Sequence, residues 1–305
     1  MKKILIVFTI ISLFLTGCSL GGDNTKESGK ISIVATIFPQ YDLARAVAGD
    51  KADIILLIKP GNEAHSYDPT PKEAAAISGA DLFICTGSES EGWVEAVADS
   101  AGLSREKWLT LFSLCGVSET EHGHGHGHGH DLDEHVWTSP LNAVLITEGI
   151  RDRLSEIDPE NKDYYYANAE KYVNELKKLD AEIEEIVENG KRKTVVFGDR
   201  FPARYFAERY SLSYLSAIPG CSADSEASSS DIAAVIEKVK AEEIPVVFYI
   251  EFSNGKTADI ITEATGAKKL LFHSLHNVSM EDFENGKTYV DIMKTNRDNL
   301  KEALS

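Results

Sequence analysis

The sequence is poor in cysteine and in positive charge, and each shortage excludes something. Only four of its 305 residues are cysteine. Cys85, Cys115 and Cys221 follow Cys18, and an odd set of three cannot be a full disulfide framework. Cys85 and Cys115 each end a strand-like run, which leaves one bridge between them open. No C-x-x-C spacing occurs, so neither a thiolate zinc knuckle nor a dithiol redox motif is present. H-E-x-x-H, the helical signature of a zinc peptidase, is also missing. Lysine and arginine number 31 against 49 aspartates and glutamates, a formal charge of −18. That charge would repel nucleic acid and argues against it as a partner. The N-terminal apolar run is too short to span a bilayer as a final anchor, and no second transmembrane candidate follows it.

What is present begins with that N-terminus. Lys2 and Lys3 precede ILIVFTIISLFL, and Leu15-Thr16-Gly17-Cys18 resembles the lipobox of bacterial lipoproteins. The resemblance implies a signal peptide over 1–17 and a lipid on Cys18, anchoring the rest outside the cytoplasm at the bacterial cell membrane. Loss of the two lysines takes the formal charge to −20. Residues 18–30 read as a lipidated, flexible, polar tether.

From residue 31 the chain alternates. ISIVATIF, ADIILLI, DLFICTG and KWLTLFS are β-rich apolar runs, separated by the helical patterns FPQYDLARAVAG, TPKEAAAISGA and WVEAVADSAG. Strands alternating with helices predict a parallel sheet flanked by helices. A helix is expected from Ser139-Pro140 to about Ile157. From Asp158-Pro159 to Asn189-Gly190, apolar residues fall at Tyr165, Ala169, Tyr172, Leu176, Leu179, Ile183 and Ile186, one stripe along a helix of about 30 residues. The alternation then resumes through KTVVFGD, LSYLSAI, PVVFYIE and KKLLFHS, and closes with the helical YVDIMKTNRDNLKEAL. The fold class is therefore α/β: two lobes, each a parallel sheet flanked by helices, joined by one long rigid helix. The expected divisions are an N-terminal lobe over 31–140, a helical region over 141–190 containing the linker, and a C-terminal lobe over 191–305.

Open parallel sheets bind ligands beyond the carboxyl ends of their strands, so two lobes place the natural site in the cleft between them. Several polar residues occupy those positions. Lobe one offers Glu63, His65 and Asp68 after ADIILLI, and His135 before the helix at Pro140. Lobe two offers Asp199, Glu251, His273 and His276. Imidazoles and carboxylates from distant segments are what Zn²⁺ or Mn²⁺ requires. Spacing alone leaves a metal carrier and a metal enzyme both open.

The stretch EHGHGHGHGHDLDEHVW, residues 121–137, adds a second kind of histidine. Glycine at alternate positions cannot build a core, so residues 121–131 read as a polar loop whose His122, His124, His126, His128 and His130 collect cations weakly. His135 differs, because Val136-Trp137 and a helix start hold it in place. An imidazole-rich run favours zinc over manganese.

Lipobox, ATIFPQYDLARAVAGD, GNEAHSYDPTPKE, GSESEGWVEAV, a His-rich loop before DEHVWTSPLNA, a long helix and EATGAKKL together resemble the metal-binding lipoproteins of zinc and manganese ABC importers. The resemblance covers nearly the whole mature chain. It implies a monomeric receptor, not an enzyme, that holds one Zn²⁺ between the lobes and passes it to an ABC permease with its ATPase. Mn²⁺ is the alternative cargo; an extracellular zinc enzyme and an adhesin are the alternative functions. By motif, His65 and His135 match the family's two ligands in lobe one. Lobe two departs from the pattern: VVFGDRFPARYF puts Asp199 where the family usually has His or Glu, and LLFHSLHNVS puts His273 where it usually has Asp. His65, His135 and His273 are thus the expected ligands, with Asp199, Glu251 and His276 as further candidates.

Overall fold

The computed structural model describes residues 29–62, 67–88, 91–117, 133–218 and 226–305. The signal peptide, Cys18 and most of the tether, Glu63, His65, Cys221 and the five loop histidines lie outside those residues.

Lobe one is built on β1 (Ile31–Ala35), β2 (Ala52–Leu56), β3 (Leu82–Cys85) and β4 (Trp108–Thr110). They form a parallel sheet in the order β2-β1-β3-β4. All four residues of β3 are buried, as expected of a strand with helices on both faces. The connections are α1 (Phe38–Ala48), α2 (Pro71–Ser78) and α3 (Trp93–Ser100). The start of α2 is set locally: Pro71 is its first residue, and Thr70 and Glu73 form a reciprocal capping box.

KWLTLFS departs from the expected single strand. After Thr110 the chain enters a short helix, α4 (Leu111–Leu114), because the Thr110 side chain accepts the Ser113 N–H at 3.3 Å. Leu111 and Phe112 reach the core from that turn. Cys85 and Cys115 are both free thiols, so the bridge left open by the sequence is not formed.

Two long helices follow, α5 (Pro140–Ile157) and α6 (Lys162–Asn189). The 28 residues of α6 span about 42 Å at 1.5 Å per residue. Its buried stripe runs Tyr165, Ala169, Val173, Leu176, Leu179, Ile183 and Val187. Val173 and Val187 take the places expected of Tyr172 and Ile186, which are half-buried at the edges of the stripe. The shift is small because either reading keeps one face of a 3.6-residue period.

Lobe two repeats the plan with β5 (Thr194–Phe197), α7 (Arg204–Arg209), β6 (Ser213–Ser216), α8 (Ser229–Ala241), β7 (Val246–Tyr249), α9 (Lys256–Thr265) and β8 (Lys268–Leu271). Its parallel sheet has the order β6-β5-β7-β8. The short α10 (Met280–Glu284) and then α11 (Tyr289–Ala303) complete the chain.

Residues 31–305 form one compact unit. A large apolar cluster continues from Ile33 and Leu43 of lobe one, through Tyr165, Leu176 and Ile183 of α6, to Phe197, Phe248 and Phe272 of lobe two. Each lobe adds a smaller cluster on its outer sheet face. Long helix and lobes thus share one core, which makes α6 a strut rather than a tether. Polar contacts fix it to both lobes: Asn168 donates to Val47 O at 3.0 Å, and Asp180 accepts from Arg209 Nε and Nη2 at 3.0 and 2.6 Å and from the Tyr210 hydroxyl at 2.8 Å. Among the described residues no helix is long and apolar enough to cross a membrane.

Candidate metal centre

His135 leads into the 3-10 turn Val136–Thr138 and is 1% exposed. Asp133 holds it twice: its Oδ1 accepts the His135 N–H and lies 2.9 Å from Nδ1. The carboxylate therefore keeps the proton on Nδ1 and turns Nε2 outward, the arrangement that orients a metal-binding imidazole. Burial alone would lower the His135 pKa, but Asp133, Glu134 and Glu251 together raise it. Burial pushes the Asp133 carboxyl up, and its bonds and charge contact with His135 bring it below the usual carboxylate range.

The facing loop of lobe two follows β8. Leu275, fully buried, has φ of 65°, in the left-handed region that a branched side chain rarely adopts. This bend breaks the alternation of a strand and brings His276 toward lobe one. Glu251 holds the loop: its Oε2 accepts the Ser274 N–H at 2.7 Å, and its Oε1 accepts the Ser274 hydroxyl. Ser274 Oγ in turn accepts the His276 N–H at 3.3 Å. Trp137 reaches across the cleft and donates from Nε1 to Ser274 O at 2.9 Å.

Glu134, His135 and His276 converge. Their ligand atoms all lie within 4.8 Å of one another. Glu134 Oε1 is 3.6 Å from His276 Nε2 and 4.0 Å from His135 Nε2, and the two imidazole rings are 5.1 Å apart, edge to face. Two donors bound at about 2.1 Å to a tetrahedral ion stand about 3.4 Å apart. The 3.6 and 4.0 Å separations exceed that spacing by about 0.2 and 0.6 Å, so sub-ångström shifts would bring Glu134 Oε1 and each imidazole to the spacing of donors on one zinc-sized ion. Two nitrogens and one carboxylate oxygen suit a borderline divalent metal.

The other candidates are placed differently. His273 is buried in the backbone turn: its N–H donates to Asn296 Oδ1 at 2.8 Å, its O accepts Asn296 Nδ2 at 2.8 Å, and its Nδ1 accepts the Leu275 N–H at 3.0 Å. Glu251 is committed to Ser274. Asp199, 2% exposed, accepts the Arg200 N–H on Oδ1 at 2.8 Å; among the described residues its buried Oδ2 has no hydrogen-bond partner. Among the described residues Asp199 is not one of the side chains that converge with Glu134, His135 and His276. Gly198 sets its position, since a Cβ there would stand 2.5 Å from Ala258 Cα, so the end of β5 lies directly against α9. Gly198→Ala is expected to cost about 1–3 kcal/mol by overpacking, measured by urea unfolding of the metal-free protein; an unchanged midpoint would show that α9 gives way freely.

Lobe two also holds the chain leading to His65. Asn277 Nδ2 donates to Lys59 O and Asn62 O at 2.8 and 2.9 Å, and the Gly61 N–H donates to Val278 O at 2.8 Å. Glu134 is not among the ligands expected from the sequence, where its one signal is its place beside His135; the sequence puts His273 ahead of His276.

The sequence and the fold recur in known proteins. Residues 33–303 match the family model described as ZnuA, zinc-uptake complex component A, periplasmic. The chain is 34% identical over 313 residues to a zinc-binding lipoprotein, AdcA, of Streptococcus pneumoniae, covering 99% of this chain and 61% of that protein. It is 33% identical over 315 residues to the high-affinity zinc uptake system protein ZnuA of Bacillus subtilis, covering 98% of this chain and 97% of that one. The Zn(II)-bound ZnuA-like domain of S. pneumoniae AdcA has the same fold, with a TM-score of 0.75 at 31% identity over 90% of this chain and 99% of that one. The chain thus spans 61% of the length of the AdcA relative and nearly all of the B. subtilis protein. A family model matched across almost the whole two-lobed unit places this chain in the ZnuA family of zinc-uptake components.

Proposed function

We propose that this protein is an extracytoplasmic receptor that captures Zn²⁺ in the inter-lobe cleft and delivers it to an ABC permease driven by its ATPase. The convergence of Glu134, His135 and His276 at the carboxyl ends of two sheets carries this reading. His135 and His276 would bind through Nε2, with Glu134 Oε1 as the oxygen donor. His65 would complete the shell from lobe one, on the strength of its family motif, and Asp199 is the further oxygen available from lobe two. His276 takes the place expected of His273, since Nδ1 of His273 already serves the turn. Two or three imidazoles favour zinc over the harder Mn²⁺. Zinc-uptake relatives support a binding and delivery role over catalysis. The lipobox supports an anchor at Cys18, and Cys18→Ala should release the protein from membranes.

Deletion of residues 122–130 provides the test. Calorimetric titration with Zn²⁺ should lose weak sites and keep one tight site per chain, and metal analysis of the deleted protein after competition with a chelator of known affinity should find zinc rather than manganese. Loss of the tight site on deletion would move a ligand into the histidine run and overturn the proposed shell.

A further inference from the structure

Beneath the site, lobe one buries a second carboxylate. Glu91, 7% exposed, lies where β1 and β3 end. Its Oε2 accepts the N–H of Thr86 at 2.6 Å and of Gly87 at 3.2 Å, and its Oε1 meets the Thr36 hydroxyl. The Thr36 hydroxyl also lies 2.7 Å from Gln40 Oε1. That atom is an oxygen by its partners: it accepts the N–H of Thr36 at 2.8 Å and of Ile37 at 3.2 Å, while Gln40 Nε2 donates to Thr86 Oγ1 at 3.1 Å.

A hydroxyl has one proton to donate. Thr36 Oγ1 touches two oxygens that would both be acceptors if Glu91 were ionised, and its single proton cannot serve both. The arrangement closes when Glu91 is the acid: Oε1–H donates to Thr36 Oγ1, whose own proton goes to Gln40 Oε1. Burial, the largest influence, pushes the Glu91 pKa up to about 7 against the opposing pull of its hydrogen bonds with Thr36, Thr86 and Gly87, and the charge of Glu134 adds to the rise. Among the described residues, the titratable groups facing Glu91 are Glu134, from the His135 loop, and the Cys85 thiol at the end of β3. Among the described residues no lysine or arginine forms an ion pair with it. Ser88 joins this network to the metal centre, since its O accepts the Glu91 N–H at 3.1 Å and its Oγ donates to Glu134 Oε2 at 3.0 Å.

We propose that Glu91 is a proton-bearing positioning residue: it holds the ends of β1 and β3 as a neutral acid, sets Ser88 against Glu134, and releases its proton to solvent when a dication binds beside Glu134. On release the Oε1–H bond breaks and its electron pair stays on the carboxylate. The Thr36 hydroxyl turns from Gln40 to Glu91, and Gln40 Oε1 keeps its two backbone donors. The driving force is the charge of the ion, which cancels that of Glu134 and lowers the cost of a second buried anion. This inference rests on the reading of the cleft as a zinc site.

Two measurements test it on the protein lacking residues 122–130. The first is calorimetric titration of Zn²⁺ in buffers of different ionisation enthalpy, comparing the parent with Glu91→Gln, which keeps both a donor and an acceptor in place. At pH 6 the parent should release close to one more proton per zinc than the variant, a difference that vanishes towards pH 9, where Glu91 is ionised beforehand. Equal release at pH 6 would overturn the proposal. The second is an infrared difference spectrum of the metal-free parent against Glu91→Gln at pH 6, which needs neither zinc binding nor the site assignment. A carboxylic-acid carbonyl band present in the parent and missing in the variant supports the neutral acid, and its absence from the parent overturns it. If Glu91→Gln does not fold, the same band is sought in the parent alone between pH 5 and 9, where it should fade around pH 7. A zinc titration that finds no tight site, beside a positive infrared result, would fail the site reading and leave the neutral acid standing. Glu91→Ala should lose about 10–100-fold in zinc affinity, and Glu91→Gln should recover most of it at pH 6.

Discussion

In protein lacking residues 122–130, His276→Ala is expected to lose more than about 100-fold in zinc affinity, beyond the 10–100-fold typical of residues that only support a ligand. His135→Ala should do the same. The ground is the distance set: both Nε2 atoms lie within 4.0 Å of Glu134 Oε1, close to the separation that a shared tetrahedral ion demands. His273→Ala should fall in the weaker class. It removes the acceptor of the Leu275 N–H and so loosens the strained turn that presents His276, but no ligand atom is lost. Competition with a chromogenic chelator gives all three affinities on one scale. A His273→Ala protein that binds no zinc, beside a His276→Ala protein that binds like the parent, would reverse the assignment.

Asp42→Ala should cost about 3–5 kcal/mol of folding stability, the range for breaking one partner out of a buried ionic cluster. Asp42 is 1% exposed on α1 and is the point where lobe one, α6 and the start of α11 meet. Its Oδ1 takes Arg45 Nε at 2.6 Å; its Oδ2 takes the Tyr172 hydroxyl and the Tyr289 N–H, each at 2.8 Å. Burial raises its pKa, and Arg45, the Tyr289 N–H and Tyr172 oppose that rise. Alanine would leave two buried donors without an acceptor. Arg45 also donates to Gly286 O and Lys287 O at 3.1 and 2.9 Å, and Tyr289 donates to Trp137 O at 2.7 Å, so the damage should reach the loop that carries His135. Urea unfolding of metal-free protein measures the loss; a cost below about 1 kcal/mol would show that the cluster merely balances its own desolvation.

Local pattern was enough for most of the architecture. Alternating apolar runs and capped helices made two parallel sheets legible, and a stripe with a 3.6-residue period made the long helix legible, because these signals depend on neighbours a few residues apart. Thr110 shows where that reach ends: KWLTLFS has the composition of a strand, and one side-chain cap turns its second half into helix. The site divides the same way. The sequence by itself determined that His135 is held, through DEHVW and the helix start that follows. Tertiary structure alone sets where His273 and His276 stand, because their placement turns on one left-handed residue, Leu275, and on the distant partners Glu251, Asn296 and Trp137 that fix the loop around it. It also decided that Glu134 faces both imidazoles, since the direction of a carboxylate beside a histidine depends on Ser88, 46 residues away in sequence. Contacts between residues far apart in the chain leave no periodic trace in it, and these contacts set the geometry of the site.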